Sequence, residues 1–374
     1  MARSAHAYVR GSTRQFYEWL DTASGRAIPH GPNVWICGDC HVGNLGPVAD
    51  AKGRVQIAIR DLDQTVIGNP AHDLIRLGLS LATAIRSSDL PGVTTSLMLE
   101  QMVEGYEFSL ATGHRNARVP KPVARVLTKA LKRRWHHLAE ERIKDVKPNI
   151  PLGQAFWPIS RAEKREIDKL FAERDVRRLV TSLQKRDDKD KVRVLDAAYW
   201  MKGCSSLGKL RFAVLLGVGK KRHRQLCIID IKEAAQPAVK RSARIVMPTD
   251  NAKRVVEGAR QLSPYLGQRM LAAKFLRKSV VIRELLPQDL KLEMDQLTRD
   301  EAIAAARYLA SVVGAAHAVQ MNPAKRREWL ATLKLHRMKK VDAPSWLWRS
   351  VVELSSMHES AYLEHCRLYA FSRT

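Results

Sequence analysis

Three short stretches near the start of the chain carry the residue types that phosphoryl transfer needs. They are Cys37-Gly-Asp-Cys-His-Val-Gly-Asn44, Ile59-Arg-Asp-Leu-Asp63 and Gly68-Asn-Pro-Ala-His-Asp73. Phosphoryl transfer requires a carboxylate beside the acceptor hydroxyl and oxygen ligands that hold magnesium on the phosphates. Asp39 suits the first role. Asn44 and Asp61 suit the second, with Asp63 as an additional ligand. Gly38 permits a tight backbone next to Asp39. A lone Asp or Asn in a loop is usually a turn residue. Three such elements in order, at the ends of two strands, are harder to read as turns.

A second constellation lies far along the chain. Gly203-Cys-Ser-Ser-Leu-Gly208 is a glycine turn between two apolar stretches, and its backbone amides could cover phosphates, with Gly203, Ser205, Ser206 and Gly208 as the contact positions. Lys232 ends the apolar run Leu226-Cys-Ile-Ile-Asp-Ile and can reach phosphate oxygens. Glu257, on the following helix, could pair with it. A glycine turn alone is more often a hairpin, whereas a lysine ending a buried strand needs a partner.

Other chemistries share some of these residues. Cys37-Gly-Asp-Cys-His41 fits the c-type haem attachment pattern, which requires export and an exposed loop. A thiol-redox pair at Cys37 and Cys40 requires a helix after the cysteines, where the chain continues as a hairpin. Gly203 to Lys209 approaches a nucleotide P-loop but has Leu210 where Ser or Thr should ligate magnesium. His41 lacks a second partner at zinc spacing beyond those cysteines and reads as a hydrogen-bonding residue.

The elements that must position these residues follow from periodicity. Val34 and Ile36 alternate before Gly38. Val55, Ile57 and Ile59 alternate before Asp61, after a turn at Asp50-Ala-Lys-Gly53. Period two marks half-buried strands, here joined through a hairpin. From Asp73 the pattern turns helical, with Leu74, Leu77, Leu81 and Ile85 on one face, and helix dominates to about residue 190. Residues 193–235 read as strand, glycine turn, strand, basic turn, strand. A helix is expected over 251–263, and Val280–Leu286 is a short apolar run that Pro287 breaks. Thr298-Arg-Asp-Glu301 is a capping box opening a helix to about Gln320.

The chain has 374 residues and 45% hydrophobic content, enough for a real core and two lobes. No apolar run approaches the roughly 20 residues of a membrane span, and the first residues lack the apolar core of a signal peptide. A cytoplasmic protein is expected. Five cysteines do not make a disulfide framework. The net charge of +26 favours polyanions, nucleic acid or nucleotide phosphates among them. The basic run Lys121–Lys147 reads first as a solvated helix face and second as a nucleic-acid stripe.

Gly38-Asp-Cys-His-Val-Gly-Asn44, with Asp61 and Gly68 to Asp73, resembles the catalytic and metal-binding loops of aminoglycoside phosphotransferase-type kinases. Residues 8–320 more closely resemble a bacterial family known as domain of unknown function 2252. The resemblance is carried by Tyr8-Val-Arg-Gly11, the first loop, Arg60-Asp-Leu-Asp63, Asp73-Leu-Ile-Arg-Leu, Gly203 to Gly208, Ile231-Lys-Glu-Ala234, Arg254-Val-Val-Glu-Gly258, Arg283-Glu-Leu and Ala316-His-Ala318. It implies an α+β, protein-kinase-like two-lobe fold that binds ATP and Mg2+. Asp39 would be catalytic, Asn44 and Asp61 metal ligands, Lys232 the phosphate-binding lysine, Glu257 its helix partner and Asp73 a brace for the catalytic loop. Cysteine stands at position 37 where that loop usually has histidine. The loop also precedes the glycine turn and lysine, which implies a circularly permuted order. The lobes expected are 1–190 and 287–374, mainly helical, and 191–286, β-rich. The function expected is phosphoryl transfer to an acceptor. The alternatives are nucleotidyl transfer, or a non-catalytic nucleotide-binding module that holds a polyanion.

Overall fold

The computed structural model describes residues 8–9, 11–86, 90–113, 118–132, 149–184, 186–201, 208–220, 224–239, 245–286, 297–335, 337–338 and 342–370. Helices α1 (Thr13–Leu20) and α2 (Ala23–Arg26) precede strand β1 (Val34–Ile36). β2 (Leu45–Ala49), β3 (Val55–Ile59) and β4 (Val66–Gly68) follow, then α3 (Ala71–Arg86), α4 (Val93–Thr112) and α5 (Lys121–Lys132). A short strand β5 (Phe156–Trp157) leads to α6 (Arg161–Ala172) and α7 (Arg174–Thr181). Next come β6 (Val192–Trp200), β7 (Arg211–Val218), β8 (Gln225–Glu233), α8 (Asn251–Leu262), α9 (Pro264–Gly267), β9 (Met270–Phe275) and β10 (Lys278–Leu285). Helices α10 (Arg299–Ala318), α11 (Pro323–Leu335) and α12 (Ser345–Ala370) close the chain.

A hairpin is present at the expected turn, but Leu45–Ala49, not Val34–Ile36, is the strand that pairs with Val55–Ile59. β2 and β3 pair antiparallel, with Leu45 opposite Ile59 and Ala49 opposite Val55. Asp50 forms its turn, because its Oδ1 accepts from the Lys52 amide at 2.9 Å and the Arg54 amide at 2.8 Å. The strand that enters the first acidic loop is not part of this hairpin. β1 pairs with β4, Val34 opposite Gly68. Both β1 and β2 are buried throughout, so they lack the polar alternation that would have advertised their pairing.

The second β-rich region forms a six-stranded antiparallel sheet in the order β5-β6-β7-β8-β10-β9. One face is covered by α6 and α7, whose Ile167, Leu170, Phe171 and Val180 pack with Phe212, Val214 and Ile229. These helices are amphipathic and need a partner for their apolar stripe. The boundary expected at residue 190 therefore falls inside one packed unit, since residues 156–181 belong with the sheet. Val255, Val256, Ala259 and Leu262 of α8 join the larger core formed with β1–β4, α3 and α4. Thus α8 links the sheet to the acidic loops. The capping box is seen, with the Glu301 amide donating to Thr298 Oγ1. Among the described residues, no helix is long and apolar enough to cross a membrane.

Asp250 starts α8 and latches it to the β9–β10 hairpin. One oxygen accepts from the Lys253 amide at 3.0 Å; the other meets Lys274 Nζ at 2.8 Å and the Ser279 hydroxyl. Burial opposes the charge, but Lys274, Ser279 and the amide together hold this carboxyl below the ordinary carboxylate range. Asp250→Ala is expected to cost about 1–2 kcal/mol at neutral pH. The folded-state pKa lies below the unfolded value of about 3.9, so this stability is full above that value and is lost as the pH falls toward the folded one. Urea unfolding should show the gap between wild type and variant closing below about pH 4. A gap that keeps its neutral-pH size down to about pH 2 would refute the charged latch.

Candidate active site

The loop after β1 is held by one carboxylate. Asp73, in the first turn of α3, accepts from the Cys37 amide at 2.7 Å and the Gly38 amide at 2.9 Å. His317 Nε2 lies 3.2 Å from its Oδ2. Gly38 has φ +75°, and a Cβ there would overlap the Gln64 carbonyl oxygen. Only glycine meets both demands. Its own carbonyl accepts from the Tyr17 hydroxyl at 2.7 Å.

With the peptide so fixed, the Asp39 side chain is 15% exposed. Its Oδ1 pairs with the fully buried Arg76 guanidinium, and His41 Nε2 stands 3.9 Å from its Oδ2. Asn44 Nδ2 donates to the Asp39 carbonyl at 3.0 Å, and the Asn44 carbonyl accepts from the Arg60 amide at 2.7 Å. Those bonds tie the first acidic loop to the residue preceding Asp61.

The second acidic loop meets the sheet. Lys232 Nζ pairs with Asp63 and lies 4.0 Å from Asp61 Oδ1. Burial works to lower the Lys232 pKa, but Asp61 and Asp63 outweigh it and raise it. The protein packed around Asp61 opposes its charge although the carboxylate edge still meets solvent, and Lys232, Arg283 and the Asp63 amide hold it well below the carboxylate range. Beside them Arg211 binds buried Asp230 in a two-point contact at 2.9 and 2.6 Å, and Arg283 reaches the same carboxylate at 3.3 Å. The cavity between Asp61, Asp63, Lys232, Val255, Met270 and Arg283 measures about 20 Å³, room for about one water.

The Asp61 carboxylate is about half exposed and that of Asp63 about a third. Two carboxylates and the Asn44 amide oxygen are hard donors suited to magnesium. Among the described residues no group of three or more His, Cys, Asp or Glu side chains is spaced for a metal. Magnesium held here would take the rest of its shell from phosphate and water oxygens, which is its usual habit.

Not every expected residue joins the cluster. Glu257 contacts Gln261 Nε2 at 3.2 Å and Arg260 Nη1 at 3.5 Å rather than Lys232. The inward face of α8 is taken by Arg254, Val255 and Gly258, so Glu257 points away and the lysine's partners are Asp63 and Asp61. Gly208 is an exposed turn glycine with φ +73°. Gly203, Ser205 and Ser206 lie outside the described residues. Cys37 and Cys40 are both buried, which removes the exposed loop that haem attachment needs. A hydrogen bond with Cys40, then burial, push the Cys37 thiol up, away from a reactive thiolate.

Three supporting residues carry no assignment in the sequence reading. Arg76 holds Asp39. Arg254 of α8 donates to the carbonyls of Thr65, Asp63 at 3.0 Å and Ala235 at 2.9 Å, stitching the helix to both sides of the cluster. His317 holds Asp73. Each lies in a stretch that carried the family resemblance, namely Asp73-Leu-Ile-Arg-Leu, Arg254-Val-Val-Glu-Gly258 and Ala316-His-Ala318. An arginine or histidine on an apolar helix face was the available signal.

The fold and site define an α+β protein in which a strand-borne lysine from the sheet meets acidic loops from the helical part. The family model described as "Uncharacterized protein conserved in bacteria (DUF2252)" matches residues 1–368, and the chain belongs to that family. No curated protein and no solved structure matches the chain.

Proposed function

We propose that this chain is an ATP- and Mg2+-dependent phosphotransferase with a kinase-like division of labour in circularly permuted order. Asp39 orients or deprotonates the acceptor hydroxyl. Asn44, Asp61 and Asp63 hold magnesium, and Lys232 neutralises phosphate charge. The observation that carries the reading is the approach of Lys232 Nζ to Asp61 at 4.0 Å, two residues distant in sequence that this chemistry needs together. The turn containing Gly208 joins the first two long strands and the lysine stands on the third, as phosphate-covering loops and lysines do in kinases. One observation favours a non-catalytic nucleotide-binding module instead, since the buried Arg76 already occupies one oxygen of Asp39. Such a module would hold a polyanion on basic surfaces such as the exposed Lys132. Nucleotidyl transfer would use the same ligands, and transfer of α-label rather than γ-label from ATP distinguishes it.

Millimolar Mg-ATP is expected to raise the thermal midpoint, because a ligand bound only to the folded state stabilises it by mass action. Lys232→Ala should shrink that shift to a small fraction. A wild-type midpoint that Mg-ATP leaves unmoved would mean that the Lys232 cluster is a structural ion pair.

A further inference from the structure

Behind the brace on the first loop runs a buried chain of side chains from four helices. Trp329 of α11 donates from Nε1 to the Tyr106 hydroxyl of α4 at 3.2 Å. Tyr106 lies 3.0 Å from His317 Nδ1 on α10, and His317 Nε2 lies 3.2 Å from Asp73 Oδ2 on α3. None of the four is more than 1% exposed. Close helix contact makes this reach practicable. A Cβ on Gly105 of α4 would overlap the Arg307 carbonyl of α10, and one on Gly314 would stand 2.6 Å from the Tyr106 carbonyl oxygen. The two backbones touch, so Tyr106 and His317 face each other across the seam.

The protons in this chain can run one way only. An indole N–H can donate and cannot accept. The Tyr106 hydrogen therefore has a single acceptor among its partners, the His317 Nδ1 lone pair. Burial raises the Tyr106 pKa, which keeps that hydrogen in place. With Nδ1 accepting, the ring proton must sit on Nε2 and point at Asp73. The carboxylate then receives three N–H groups, from Cys37, Gly38 and His317. An anionic carboxylate has the lone pairs for all three.

We propose that His317 is a positioning residue for the catalytic loop, its Nε2–H tautomer set by Tyr106 and Trp329 so that Asp73 keeps the rotation that grips both loop amides and aims Asp39. The catalytic part of this claim rests on the phosphotransferase reading; the positioning part does not. If the tautomer is lost, an Nε2 lone pair faces the carboxylate, Asp73 turns, and the Gly38–Asp39 peptide loosens. Misplacement of a reacting group on that scale costs roughly ten- to a hundredfold in rate.

The test uses the full chain with 15N-labelled histidine and four variants, Tyr106→Phe, Trp329→Phe, His317→Gln and His317→Ala. His317 of the wild type should show a protonated Nε2 and an unprotonated Nδ1. In Tyr106→Phe, hydrogen exchange at the Cys37 and Gly38 amides should accelerate about tenfold or more, while amides of the distant β6–β7 ladder keep their protection. Glutamine at 317 can accept from Tyr106 and donate to Asp73, so it should restore protection that alanine loses. If the wild type turns over ATP, Tyr106→Phe should lower kcat about tenfold with little change in KM for ATP. A protonated Nδ1 in the wild type, or unchanged exchange at both amides in Tyr106→Phe and His317→Ala, overturns the proposal whether or not any turnover is found. Normal tautomer and exchange effects with no turnover in the wild type would uphold the positioning chain and count against the phosphotransferase reading alone.

Discussion

Asp73→Ala is expected to lower stability by about 3–5 kcal/mol, a large share of the roughly 5–15 kcal/mol that holds a domain folded. The substitution strands three buried donors at once, the amides of Cys37 and Gly38 and the Nε2–H of His317. Each buried donor left without a partner costs about 1–3 kcal/mol, and water cannot reach a residue with 0% exposure. Asp73→Asn keeps the shape and one acceptor oxygen, so its loss should be smaller. Denaturant unfolding followed by tryptophan fluorescence checks both, since Trp35 precedes the loop and Trp329 ends the buried chain. An alanine variant within about 1 kcal/mol of the wild type would show that the loop amides find other partners and that Asp73 is no brace.

Asp39→Asn separates the two function classes. Turnover of ATP is expected to fall at least a hundredfold, the usual scale of general-base help, while Mg-ATP still raises the thermal midpoint. The variant also leaves Arg76 buried without a negative partner, because its Nε and Nη1 make no hydrogen bond and Asp39 is its ionic contact. A stability loss of about 1–3 kcal/mol should therefore accompany the kinetic one. The two effects are distinguished by the nucleotide-induced shift, which an unfolded population cannot give. Equal turnover in wild type and variant would reduce Asp39 to the counter-ion of Arg76, and the binding-module reading would then stand.

The loop itself was legible because its parts are local. Gly38 beside Asp39, Asn44 five residues on and Asp61 just after the β2–β3 hairpin all lie within one hairpin's length, so spacing along the chain reports spacing in the fold. The capping box at Thr298 and the turn at Asp50 were legible for the same reason, since each is satisfied by residues two to four positions away. Glu257 illustrates the opposite case. Its helix was foreseen, but which face of α8 turns inward depends on Arg254 finding three carbonyls on two other segments. A rotation of one residue moves a side chain by about 100° around the helix axis. No local pattern settles that.

By itself, then, the amino-acid sequence determined the acidic loops, the apolar strand that carries Lys232 and the helices that alternate with them. Those depend on short-range geometry and on periodic burial, which neighbouring residues set. Tertiary structure alone decided that β1 pairs with β4 rather than joining the hairpin, that residues 156–181 cover the sheet, and that Lys232 meets Asp63 and Asp61. It also decided that Arg76 and His317 support Asp39 and Asp73 from buried helix faces. A charged or polar group in an apolar interior must find a partner, and that partner is chosen by which elements the core brings within about 3 Å, not by distance along the chain.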